Sequence, residues 1–255
     1  MPGEDPIKEL PVYDAQLSPE MLALAKAARG GDVGDLQHAC NRLNVSPANR
    51  EAVVKMLREA CRNGHREAAE WLAAAYAPTT EEVCSGDNYI LYCACAHGHL
   101  EVAQWLVETY GITAGSVRKG INILGYTCGR GHLEVAQWLV KQFGLTAADV
   151  LEAWNTAVQY SCETGRINVL EWLDRDFDVV GQVKRRYGRA AVYRMLNHSS
   201  GNGHHIVAHW IRENFRLTDA EYDQNVAKRQ PLPPRPKTLD FDKADAYQLG
   251  WPTSK

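Results

Sequence analysis

Apolar positions along the chain recur in a two-part pattern. In the first part a large apolar residue and a small one stand four apart: Leu57 and Cys61, Leu91 and Cys95, Leu124 and Cys128, Val158 and Cys162. That spacing puts both on one face of a helix, where the large residue fills the core and the small one lets a neighbour approach. Three residues later stands a glycine, which ends the helix because the left-handed C′ position suits glycine. In the second part the apolar residues fall four, seven and eight past the glycine, as in Val102, Trp105, Leu106 and Val135, Trp138, Leu139. This is a second helical stripe. The pattern predicts a helix, a tight turn and a second helix, many times over.

The turn glycines are Gly31, Gly64, Gly98, Gly131, Gly165 and Gly203, spaced 33, 34, 33, 34 and 38 apart. The first copy is degraded, with Leu24 and Ala28. The sixth, with Leu196 and Ser200, follows an insertion of about five residues. Twelve past the glycines stand Leu43, Tyr76, Tyr110, Phe143, Phe177 and Phe215. Ser46, Thr79, Thr113, Thr146 and Thr218 follow as N-caps for a next helical segment, with Pro47 at a first helical position. Asn88, Asn122 and Asn155 read as caps or breaks ahead of the next core helix. One helix pair cannot bury its own apolar face, so the units must stack. The expected fold is an all-α repeat solenoid of about six helix-turn-helix units over residues 21–217. An N-terminal extension (1–20) and an extended C-terminal tail (218–255) flank it.

The string A-C-x-x-G-H-L-E-V-A-Q-W-L at this period resembles the ankyrin repeat, and the likeness covers roughly residues 21 to 217. The family's T-P-L-H tetrapeptide is absent; the matching positions read Tyr89-Ile90-Leu91-Tyr92 and Asn122-Ile123-Leu124-Gly125. With connectors YGIT, FGLT and FRLT, the chain resembles the divergent ankyrin repeats of protists and giant DNA viruses. The resemblance implies protein–protein binding on a concave face without catalysis. Connectors that are short helices or irregular, rather than β-hairpin fingers, are expected.

The residues that look chemical are absorbed by the repeat. Cys61, Cys95, Cys128 and Cys162 fill one column. Helices packed about 8–10 Å apart keep equivalent cysteines beyond the roughly 7 Å a disulfide permits, so buried core thiols are expected. Cys40 and Cys84 have no assignable partner, and no second pair accompanies Cys93-x-Cys95 to make a zinc site. His65, His99, His132 and His204 follow the turn glycine and are read as turn hydrogen-bonders and caps of the second helix. Trp71, Trp105, Trp138, Trp172 and Trp210 form a core ladder. No P-loop, G-x-S-x-G or H-E-x-x-H occurs. The expectation is a non-enzyme with no cofactor and no metal.

Binding candidates lie elsewhere. The column five before the glycine varies: Glu59, Cys93, Tyr126, Tyr160, His198. The family implies that it faces the concave surface, where Tyr126, Tyr160 and His198, with Tyr92 alongside, would be exposed partner contacts. From Val179 to Arg212 there is no Asp or Glu, while Lys184, Arg185, Arg186 and Arg189 accumulate. The tail holds a polyproline II segment, QPLPPRPK, and then Phe241, Tyr247 and Trp251. The function expected is a scaffold or adaptor that binds protein through the concave face and the tail. One alternative is an accessory subunit built permanently into a large assembly. Another is an anion, nucleic-acid or anionic-lipid binder using segment 184–212; the net charge of −3 does not favour it. No run of about 18 apolar residues exists to span a membrane, and no secretory signal is visible. Unpaired cysteines fit a reducing, cytoplasmic compartment, or an organelle if a targeting sequence was removed before Met1.

Overall fold

The computed structural model describes residues 18–119, 122–152 and 154–227. The described residues form helices, with no strand among them. Unit one is α1 (Pro19–Gly30) and α2 (Val33–Arg42). Unit two is α3 (Arg50–Arg62) and α4 (Arg66–Tyr76), followed by the short α5 (Thr80–Val83). Unit three is α6 (Ser85–Ala96) and α7 (Leu100–Tyr110), followed by α8 (Ala114–Lys119). Unit four is α9 (Ile123–Arg130) and α10 (Leu133–Phe143), followed by α11 (Ala147–Glu152). Unit five is α12 (Trp154–Glu163) and α13 (Ile167–Phe177), followed by α14 (Val179–Arg186). Unit six is α15 (Gly188–Gly201) and α16 (His205–Phe215), followed by α17 (Asp219–Ala227). The first helices of successive units pack side by side as an inner layer, and the second helices form an outer layer. The result is an all-α repeat solenoid whose connectors after unit one are short helices.

The repeated columns become the core. Leu24, Leu57, Leu91, Leu124, Val158 and Leu196 are all buried, as are Ala28, Cys61, Cys95, Cys128, Cys162 and Ser200 beside them. The outer helices bury Val102 and Leu106, Val135 and Leu139, Val169 and Leu173, and Val207 and Ile211. The tryptophans pack edge-on against the aromatic five residues later in the same helix. Trp105–Tyr110 centroids are 6.0 Å apart and Trp172–Phe177 centroids 5.7 Å apart, both near perpendicular. This is the geometry that the ring quadrupoles favour. Trp105 and Trp172 are buried, while Trp71, Trp138 and Trp210 are half-buried against the same core.

The helix starts follow the sequence with two exceptions. Thr79, Thr113, Thr146 and Thr218 each accept from the backbone N–H three residues on. Asn122 likewise caps Gly125. Ser46 and Pro47, however, lead into a turn and not a helix; α3 begins at Arg50, capped by Asn49. Asn155 lies within α12 and breaks nothing. Asn88 does mark a break: Gly86, Asp87 and Asn88 all have left-handed φ between 58° and 64°.

Candidate partner-binding surface

Small residues decide how closely the inner helices approach. A Cβ added at Gly129 of α9 would stand 2.5 Å from the Cβ of Tyr160 on α12. The two helices therefore lie closer than any side chain at 129 would allow. Ile123 through Gly129 are buried without exception.

That approach overturns the expected exposure of two tyrosines. Tyr92 and Tyr126 are only 1% and 8% exposed. They are interior members of an aromatic run that crosses units three to five. Tyr89 stacks on Tyr92 (5.5 Å), Tyr92 meets Tyr126 edge-on (5.3 Å), and Tyr126 meets Tyr160 at a tilt (5.5 Å). The two ends of the run are half-buried. The Arg58 guanidinium sits over the Tyr89 ring at 5.6 Å. At the other end Tyr160 is hydrogen-bonded to the Tyr126 hydroxyl, and burial pushes both phenols up. Glu163, whose charge also acts on Tyr160, pairs with His198 Nδ1 at 2.9 Å. His198 is thus brought to the inner face by its contact with Glu163.

At the turn end of the inner layer each unit completes the one before it. An α-helix leaves its last carbonyls without intrahelical donors. His65 Nε2 meets the Arg29 carbonyl at 2.9 Å, and His99 Nε2 meets the Arg62 carbonyl at 2.9 Å. His132 does the same for Ala96. Arg130, Thr164 and Asn202 donate to the carbonyls of Ala96, Gly129 and Glu163. The histidines were expected to cap their own second helices. They make no such bond; the ring lies against the preceding unit's glycine instead. His97, beside this ladder, shares Nδ1 with the Cys93 carbonyl (2.8 Å), and its Nε2 faces Arg130 (3.1 Å). The imidazole is neutral, with its proton on Nδ1. Burial, followed by the Arg130 charge, holds its pKa down at about 3.

A second set of contacts, not anticipated from the sequence, ties the connectors. Arg50 donates to the carbonyls of Tyr76 and Ala77 at the end of α4 and to both oxygens of Glu82. Glu82 is itself in a capping box with Thr79. Arg118 repeats this with the Phe143 and Gly144 carbonyls and Asp149, and Arg189 with the Phe215 carbonyl and Glu221. Arg118 comes from the connector of unit three, whereas Arg50 and Arg189 open the inner helices α3 and α15; the acids come from the connectors of units two, four and six. The signal was an arginine 31 or 32 residues ahead of the acid of a T-x-x-[DE].

Residues 91–180 match the family model for ankyrin repeats, in three copies. This stretch of the chain consists of ankyrin repeats. No curated protein matches it. The matched stretch is the tyrosine-bearing middle of the stack.

In this ankyrin stack the seven cysteines are free thiols. Burial pushes those of Cys61, Cys95, Cys128 and Cys162 up. Cys40 has a neighbour the sequence did not reveal, the Met56 sulfur at 3.7 Å. Among the described residues no three His, Cys, Asp or Glu side chains cluster as metal ligands, and no helix is long and apolar enough to cross a membrane. The basic residues of α14 and the start of α15 are largely committed to structure. Lys184 donates to the Asn214 carbonyl (2.8 Å), Arg185 pairs with Asp178 (2.7 Å), and Arg189 makes the clamp above. Arg186 is exposed. Phe241, Tyr247 and Trp251 lie outside the described residues.

Proposed function

We propose that this protein is a non-enzymatic scaffold that holds a protein partner on the inner face of its ankyrin stack. Ankyrin repeats generally mediate protein–protein interaction. The observation that carries this reading is the aromatic run. Its buried middle, Tyr92 and Tyr126, fixes the two half-exposed ends, Tyr89 and Tyr160. An aromatic anchor already held in place loses little freedom on binding. Arg58 at one end and the His198–Glu163 pair at the other supply directional polar contacts around it.

The test is capture of partners from the native source by intact protein. Wild type is compared with Tyr160→Ala, Tyr89→Ala and an outer-surface control, Glu134→Lys. Loss of the captured protein with the tyrosine variants and retention with the control is the expected result. Equal capture by all four would overturn it. Retention of the partner through high salt at fixed stoichiometry would mark a permanently assembled subunit, and loss in salt an exchanging adaptor.

A further inference from the structure

Beside the arginine clamp of unit six lies an open hollow of about 230 Å³, lined by Lys184, Gly188, Arg189, Val192 and Phe215. Its floor is apolar and its rim cationic. Lys184 Nζ stands 5.6 Å from the Phe215 ring centroid. No acid is among the lining residues, and Arg185, Arg186 and Arg216 adjoin them in the chain. The nearby carboxylates are Asp178, paired with Arg185, and Glu221, held by Thr218, Tyr193 and Arg189. A ligand that fits would present an aromatic or aliphatic side chain flanked by carboxylates.

The chain carries such a sequence. Residues 239–247 read LDFDKADAY, with Phe241 between Asp240 and Asp242, a further acid at Asp245 and one base at Lys243. We infer that Phe241 fills this hollow, with Asp240 and Asp242 against the Lys184 and Arg189 rim. The inference is independent of the inner-face reading, since the hollow lies between α14, the start of α15 and the end of α16, away from the tyrosine run.

Connection and charge both favour the chain's own segment over a peptide from another protein. The last described helix, α17, packs on α15 through the Tyr193 hydroxyl, which donates to Glu221 at 2.7 Å, so α17 begins beside the hollow. Twelve residues separate Ala227 from Asp240. They can span at most about 40 Å, against roughly 14 Å for the whole of α17 at 1.5 Å per residue. A tether of this length raises the local concentration of the segment to the order of millimolar. A separate acidic peptide would need to reach that concentration in solution to compete.

Hydrogen exchange of the full-length protein, read by mass spectrometry over peptides covering 238–247, tests the inference. The expected result is exchange about tenfold or more slower than in a synthetic peptide of the same sequence. Phe241→Ala and Lys184→Glu should each restore the free-peptide rate while peptides from α10 stay protected. If Lys184→Glu disturbs the stack, loss of α10 protection reveals it, and Phe241→Ala, outside the described helices, decides. Exchange at the free-peptide rate in the wild type would overturn the inference and leave the hollow to a partner. So would slow exchange that survives Phe241→Ala.

Discussion

The His65 ring occupies the space that a side chain on Gly31 would need: a Cβ built there would stand 2.3 Å from the imidazole. The relationship repeats between Gly64 and His99, Gly98 and His132, and Gly165 and His204, with Arg166 taking the ring's place over Gly131. Each turn glycine is thus required twice, once for its φ of 75–84° and once for the neighbour's ring. Gly203, in the last unit, has φ 79° and nothing within 4 Å.

This separates the two requirements by mutation. Gly203→Ala meets only the left-handed strain, roughly 1–2 kcal/mol. Gly98→Ala meets the same strain and must also displace the His132 ring, an overpacking cost of about 1–3 kcal/mol more. Urea unfolding of the two variants should show Gly98→Ala clearly the less stable. Equal midpoints would mean that the ring yields freely.

Gly129→Ala should reverse the usual rule for helices. In an open helix, replacing glycine by alanine gains up to about 1 kcal/mol. Here the new methyl meets Tyr160 Cβ at 2.5 Å, and separating α9 from α12 should leave a net loss of roughly 1–2 kcal/mol. The near-ultraviolet circular dichroism of the tyrosine run should weaken with it. A variant more stable than wild type would contradict the close approach.

The connector clamps predict two different titrations. The Glu82 carboxyl is held at about 2, first by the Arg50 hydrogen bonds and then by the Thr79 N–H. Glu221 is also held at about 2, but first by the Thr218 N–H and then by the Tyr193 hydroxyl. Both pKa values lie below the unfolded carboxylate value. The stabilisation they bring is therefore complete above about pH 4.3 and fades as pH falls toward 2. In a carboxyl-resolved NMR titration Arg50→Ala should raise the Glu82 value markedly. Arg189→Ala should move Glu221 much less. Equal shifts would rule out this division of causes.

His97 gives the fold an acid sensitivity nearer to neutrality. Its folded pKa of about 3 is far below that of a free imidazole. Below about pH 6.5 the unfolded chain takes up a proton that the folded chain refuses, so stability falls with pH until about pH 3. Between pH 7 and pH 5 the loss from this one residue is about 2 kcal/mol. His97→Gln should flatten part of the slope in urea midpoints measured at the two pH values, the remainder staying with His99 and His132, whose pKa values burial also lowers; an unchanged slope would place the sensitivity elsewhere.

The repeat, the helix pairs and the thiol and tryptophan columns were legible because each depends on spacing within one unit. Leu91, Cys95 and Gly98 state their roles without reference to any neighbour. Tyr92 and Tyr126 were misjudged because their burial depends on how closely neighbouring inner helices approach, as Gly129 and Tyr160 show for α9 and α12. His132 was misassigned for the same reason: its acceptor, the Ala96 carbonyl, lies in the preceding unit. The Arg50–Glu82 clamp was visible only as two unremarked polar residues 32 positions apart. Contacts inside a unit are written as periodicity, whereas contacts between units are written as pairs of columns, which a single pass along the chain does not align.

The carbonyl ladder gives the solenoid a direction. Its donors belong to the later unit and its acceptors to the earlier one, so each inner helix before the last is finished by sequence that has not yet been synthesised when the helix itself emerges. During translation the growing end of the stack is therefore always one unit short of complete. Only the arrival of the next histidine, arginine, threonine or asparagine closes it.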